Sequence, residues 1–225
     1  MHTLLFDIDG TLLHSAGAGQ AAMERALEVE FGVTAPTDGI STAGRTDRAI
    51  TQDLIRLHGL EDSESTHSRF LMAYLRELPR ELAGRRGVVF PGVRELLARL
   101  SKRNDVRLGL LTGNYRQGAW LKLRHYELAQ HFAFGGFGDR HSHRDDVARD
   151  ALAAAHEHHG AHSLDGHRVW VLGDTPADVQ CARAIAARAV AVATGFFSHV
   201  ALAETAPDHL FEDFSDVDSV LQLWK

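Results

Sequence analysis

The chain has 225 residues, 44% hydrophobic and 24% charged, which supplies one sizeable apolar core and excludes disorder as a description of the whole. A formal net charge of -6 without a run of basic residues excludes a surface built to neutralise nucleic-acid phosphates, and no apolar stretch reaches the ~20 residues of a membrane-spanning helix. A single cysteine, Cys181, allows no intramolecular disulfide, and the first residues lack the charged-then-apolar pattern of a leader, so the expected location is cytoplasmic.

The opening run Thr3 to Phe6 is short and apolar and meets Asp7, Asp9 and Gly10 at once, as a buried parallel strand does where it ends in a polar loop. From 14 to 90 the spacing of apolar residues predicts helices over Gly19 to Phe31, Thr46 to His58 and Glu64 to Ala83 with no strand among them. This reads as a helical insert, leaving through Ser15, Ala16, Gly17 and Gly19 and returning at Pro91-Gly92. Beyond it, strand-like runs at Val106 to Leu111, Arg168 to Leu172 and Ala189 to Ala193 alternate with helical patterns at Val93 to Arg103, Arg116 to Tyr126, Asp145 to His158 and Pro176 to Ala186. The alternation predicts an α/β fold, a Rossmann-like parallel sheet built from residues 1–13 and 91–225, with the insert at 14–90 as a domain of its own. Each strand-like run turns polar just past its carboxyl end, at Asp7, Thr112-Gly113-Asn114, Gly173-Asp174-Thr175 and Thr194-Gly195. In such sheets ligands bind beyond those ends, so the polar tips should converge.

Asp7-Ile8-Asp9-Gly10-Thr11 sets two carboxylates two residues apart, able to project to one side while Ile8 points to the other. One can attack phosphorus while the other gives a proton to the leaving oxygen and takes one from water. Read alone, the same residues make an acidic turn around Gly10. Thr112 offers a hydroxyl, and Gly113 and Asn114 offer backbone N–H groups where a helix begins, a place suited to phosphate oxygens. Asp174 precedes its helix and has no capping role. Asp178 admits two readings, as the acidic third position of a cap begun by Thr175 and Pro176 or as a metal neighbour.

In this order the strand-end motifs resemble those of the haloacid dehalogenase superfamily along the whole chain. The first motif is highly specific and Gly173-Asp174-Thr175-Pro176-Ala177-Asp178 strongly so. Thr112-Gly113-Asn114 with Phe137-Gly138-Asp139 resembles a subset of hydrolases within the superfamily, and Gly44-Arg45-Thr46-Asp47 is similar to the cap loop of phosphoglycolate phosphatase-like and beta-phosphoglucomutase-like members, whose helical cap closes over the site. The resemblance implies a Mg2+-dependent phosphatase acting on a small phosphorylated metabolite, with Asp7 forming an aspartyl phosphate and Asp9 serving as acid and then base. It places magnesium on the Asp7 carboxylate, the Asp9 backbone carbonyl and Asp174, with Asp178 beside it, and phosphate on Gly10, Thr11, Thr112, Gly113 and Asn114. Arg45 would reach the substrate from the cap, although Thr46 capping a helix with Arg45 solvated reads equally well. Many relatives carry a Lys-Pro pair where this chain reads Arg140-His141-Ser142-His143-Arg144-Asp145. Lys122, among Trp120, Leu121 and Leu123, is then the expected charge-offsetting base, with Arg144 its substitute.

A phosphomutase would use the same core residues, and a silent binding protein would not need them intact. Dehalogenation would dispense with Asp9. The closely spaced His156, His158, His159, His162 and His167 are expected to be a solvated helix end rather than a zinc site, and Trp120, Trp170 and Trp224 to be packing residues.

Overall fold

Leu4, Leu5 and Phe6 are all apolar, so both faces of their strand need cover, which commits it to the interior of a parallel sheet. The computed structural model describes residues 1–35, 37, 39–159 and 168–225. Among them β1 (His2–Phe6), β4 (Val106–Leu111), β5 (Phe134–Gly136), β6 (Val169–Gly173), β7 (Arg188–Val192) and β8 (His209–Phe211) form a parallel sheet in the order β5-β4-β1-β6-β7-β8. Phe6 lies opposite Leu110 on one neighbour and Leu172 on the other. The ends of β4, β1 and β6, the strands that carry Thr112, Asp7 and Asp174, are therefore side by side.

The pleat divides the core in two. Leu4, Phe6, Leu108, Leu110, Trp170, Leu172, Val190 and Val192 share one apolar cluster with α1 (Ala18–Phe31), α3 (Glu64–Ala83), α4 (Val93–Leu100), α5 (Arg116–His125) and α9 (Val217–Leu221). Leu5, Leu111, Val169, Val171, Ala189 and Ala191 face the opposite way, onto α6 (Arg144–His159), α7 (Pro176–Ala184) and α8 (His199–Ala203). Trp170 and Trp224 close the first cluster edge-to-face, with ring centroids 5.9 Å apart. Trp120 packs partly buried against it, so all three tryptophans serve packing.

Helices α1, α2 (Asp47–Leu57) and α3 occupy the stretch read as an insert, with α1 packed on α3. Thr46 starts α2 by accepting from Ala49 N–H at 3.1 Å, and Ser63 starts α3 by accepting from Thr66 N–H at 3.3 Å. Where the chain enters and leaves this stretch, β2 (Leu13–His14) pairs antiparallel with β3 (Val88–Val89). That ribbon corrects the expectation of no strand between 14 and 90; two residues are too few for alternation to show. β5 and β8, each three residues long, escaped the pattern for the same reason, β5 also because it is Phe134-Gly135-Gly136. No described helix is long and apolar enough to cross a membrane.

Candidate active site

Asp7 follows β1 directly and is buried. Its backbone N–H donates to Leu172 O at 2.9 Å, so the strand pairing itself holds the carboxylate against β6. Gly10 turns the chain with φ 84°, and a Cβ there would collide with the Asp174 carboxylate. The loop is tied down from two sides. Thr11 Oγ1 donates to Asp174 Oδ1 at 3.0 Å, and Thr194 Oγ1 donates to the Gly10 carbonyl at 2.5 Å.

Carboxylate oxygens of Asp7, Asp174 and Asp178 lie within 4.8 Å of one another, all three residues buried. Asp178 takes the capping role its sequence allowed and pairs with Arg144 as well. One oxygen accepts from Thr175 N–H at 3.0 Å and Thr175 Oγ1 at 2.8 Å, starting α7, and the other accepts from Arg144. Burial raises Asp174 to about 8, with the charges of Asp178 and Asp7 adding to the rise. Burial likewise raises Asp7 to about 6, against the pull of Arg144. Burial and mutual repulsion oppose the anions of Asp7 and Asp174 even with Arg144 beside Asp7, a divalent cation would favour them, and an all-oxygen donor set suits a hard ion such as Mg2+. These residues fit such an ion.

A pH dependence follows. A carboxyl whose folded pKa lies above its unfolded one stabilises the fold below the unfolded value and loses that contribution as pH rises through the folded value. The metal-free protein should lose this contribution from about pH 4 to 8, while a cation that needs the ionised form binds better across the same range. Added Mg2+ is expected to raise the melting temperature several degrees more at pH 8 than at pH 5.5. An equal shift at both would show that the cluster does not hold the ion.

The two basic residues divide the site. Lys122, on α5, is buried and donates from Nζ to Asp9 Oδ2 at 2.6 Å and to Asn114 Oδ1 at 2.7 Å. Asn114 Nδ2 in turn donates to Asp9 Oδ2 and to Thr112 Oγ1, each at 2.8 Å. Burial disfavours the Asp9 anion, but the Lys122 charge and hydrogen bonds from Lys122, Asn114 and Ser15 outweigh it and hold Asp9 below its ordinary value. Arg144, the first residue of α6, instead has Nη2 3.5 Å from Asp7 Oδ2 and donates to Asp178. Its Nε is buried without a hydrogen-bond partner among the described residues. Lys122→Met should therefore move the acid limb of the pH–rate profile upward, because Asp9 loses its cation, and cut kcat roughly 100-fold near neutrality. An unmoved acid limb would separate Lys122 from the ionisation of Asp9.

The cleft above these residues measures about 610 Å³ and reaches Gly17, Gly19, Gln20, Met23, Ile50 and Tyr74 of the helical stretch between β2 and β3. Arg45 lines it, but the guanidinium is engaged within its own segment, donating to Asp53 Oδ2 at 2.6 Å and to the Ser41 carbonyl at 3.1 Å. Phe137-Gly138-Asp139 braces the Thr112 turn from behind. Gly138 N–H donates to Asn114 O at 2.8 Å, Asp139 accepts from Arg116 N–H at 2.9 Å, and the Arg116 guanidinium lies 4.3 Å from the Phe137 ring centroid. Sequence reasoning counted Thr194 among the converging strand ends and Asp47 within a cap segment, but it gave neither its partner and gave Tyr115 no role, because Asp47 pairs with Tyr115 and Thr194 with Gly10 across long stretches of sequence. The histidine-rich stretch is far from this chemistry at its described end, where the His158 ring packs on Phe134 at 4.9 Å; His162 and His167 lie outside the described residues.

Paired carboxylates at the end of one buried parallel strand, facing an acidic end on the next, define a class of α/β hydrolase. The chain belongs to the haloacid dehalogenase-like hydrolases, whose family pattern matches residues 4–183. It is 31% identical over 231 residues to a phosphoglycolate phosphatase of Synechococcus elongatus, covering all of both chains. It is 25% identical over 223 residues to a phosphoglycolate phosphatase of Pectobacterium atrosepticum, covering 95% of this chain and 89% of the other. A crystal structure of a hydrolase from Pseudomonas syringae shares the fold with a TM-score of 0.74 at 23% identity, over 99% of this chain and 98% of that one.

Proposed function

We propose that this hydrolase is a Mg2+-dependent phosphatase of small phosphorylated acids such as phosphoglycolate, working through an aspartyl phosphate on Asp7, with residues 1–13 and 91–225 as catalytic core and 14–90 as cap. The observation that carries the reading is the placement of Asp7: buried between Asp174 and Asp178, 3.5 Å from Arg144, and open to the same cleft as Asp9. The full-length likeness to a phosphoglycolate phosphatase supports the substrate class.

Asp7, Asp174 and the Asp9 backbone carbonyl would hold Mg2+, with Asp178 acting largely through Arg144 because protein donors already occupy both its oxygens. When bound, the ion screens the negative charge of nucleophile and phosphate from each other. An Asp7 oxygen attacks phosphorus, the ester oxygen leaves with a proton from Asp9, and water activated by Asp9 then frees Asp7 and releases inorganic phosphate. Lys122 keeps Asp9 ionised before substrate arrives; the incoming dianionic phosphate opposes that charge and favours the proton that the first step needs. Arg144 offsets charge beside the nucleophile, and Gly10, Gly113 and Asn114 line the seat of the phosphate, with Thr112 and Thr11 buried behind it, accepting from Asn114 and donating to Asp174.

The test is release of inorganic phosphate from a panel of phosphorylated metabolites, sugar phosphates included, with and without Mg2+. Mg2+-dependent release, greatest for short phosphorylated acids, is the expected result. Interconversion of sugar phosphates without net release would make it a mutase instead.

A further inference from the structure

Asp47 is buried, lines the cleft, and plays no part in the mechanism above. It is the first residue of α2, on the insert, yet its partners belong to the turn after β4. Its backbone N–H donates to the Gly113 carbonyl at 2.7 Å, and its Oδ2 accepts from Tyr115 N–H at 2.8 Å. One helical turn on, Thr51 Oγ1 accepts from the Tyr115 hydroxyl at 2.9 Å. The approach is close enough that a Cβ on Gly113 would collide with the Arg45 carbonyl. The start of α2 thus grips both ends of the Gly113-Asn114-Tyr115 segment, whose middle residue joins Thr112, Asp9 and Lys122.

Such a carboxylate is costly. Burial raises Asp47 to about 6, with Lys122 opposing the rise. An acid at a first helical position gains from the helix dipole at the surface as well as in a cleft, so the dipole alone gives no reason to bury it. The bond to Tyr115 does, because an N–H at a helix start has no partner within its helix.

We infer that Asp47 is a positioning residue: through Tyr115 N–H and Gly113 O it sets the 112–115 turn against Asp7 and Asp9, so that the phosphate seat is completed only when α2 is docked on it. The inference rests on the proposal that this turn receives the phosphate. It makes docking of the insert a condition for tight phosphate binding as well as for exclusion of water.

The experiment compares wild type with Asp47→Ala, Asp47→Asn and Asp47→Glu for kcat and KM on the best substrate, and for binding of inorganic phosphate with Mg2+ by calorimetry. Asp47→Ala should lose about 10- to 100-fold in kcat, more than it changes KM, and about tenfold in phosphate affinity. Asp47→Asn, whose amide oxygen can still accept from Tyr115 N–H, should recover most of both. Asp47→Glu keeps the charge at the helix start but displaces the acceptor, and should behave like Asp47→Ala; it carries the prediction if the alanine variant does not fold. Wild-type kcat and phosphate affinity in Asp47→Ala and Asp47→Glu, with only the melting temperature lowered, would make Asp47 a helix-starting residue and overturn the inference. If wild type hydrolyses no phosphate ester but phosphate binding follows the same order among the variants, the positioning role stands and the proposed function falls. A wild type that neither hydrolyses esters nor binds phosphate overturns both.

Discussion

Asp7→Asn is expected to remove turnover, with kcat reduced at least about 10⁴-fold, or about 5 kcal/mol of barrier. An amide has nearly the shape of the carboxylate it replaces, so the fold should persist. It lacks the charge that makes Asp7 a nucleophile, and it removes one negative charge from the group formed with Asp174 and Asp178. Loss of phosphate release together with an intact, even raised, metal-free melting temperature is the expected pair of results, because burial already disfavours the Asp7 anion. Comparable turnover in the variant would remove Asp7 as the nucleophile and with it the covalent route.

Arg144→Met should damage both stability and rate. The guanidinium is buried, and the opposing charges of Asp7 and Asp178 raise its pKa despite burial. Removing it leaves Asp178, whose other oxygen starts α7, without its cation. Breaking a buried pair from one side costs about 3–5 kcal/mol, read as a lower urea midpoint at pH 8 in chelator. The cost should shrink toward pH 5, where Asp7 and Asp174 can take protons and relieve the repulsion around the unpaired charge. Added Mg2+ should recover part of the stability but little of the rate, since the ion does not replace the guanidinium charge beside Asp7. A variant as stable as wild type at pH 8 would show that solvent reaches the pair.

The alternation of strand and helix made the sheet legible because each long strand is a mostly apolar run, broken inside β4 by Arg107, and each following helix carries apolar residues at spacings of three and four. The polar strand ends were legible for the same reason, since a carboxylate directly after a buried run has nowhere to point but the sheet's end. Three-residue β5 and β8 and the two-residue ribbon of β2 and β3 lack the length for any period. Among the site residues, Asp7, Asp9, Thr112 and Asp174 announce themselves by position, whereas Asp47 and Tyr115 could be matched only once α2 was seen against the 112–115 turn.

The α/β architecture, the strand-end acids and the resemblance to the family follow from local patterning and from motifs a few residues long, so they are legible without the fold. The assignment of the basic residues was decided by the tertiary structure. Lys122 and Arg144 stand on helices over different strands, and only the order β5-β4-β1-β6 sets Lys122 against Asp9 and Arg144 against Asp7 and Asp178. Electrostatic pairing depends on distance through space, which a linear spacing of 22 residues does not encode.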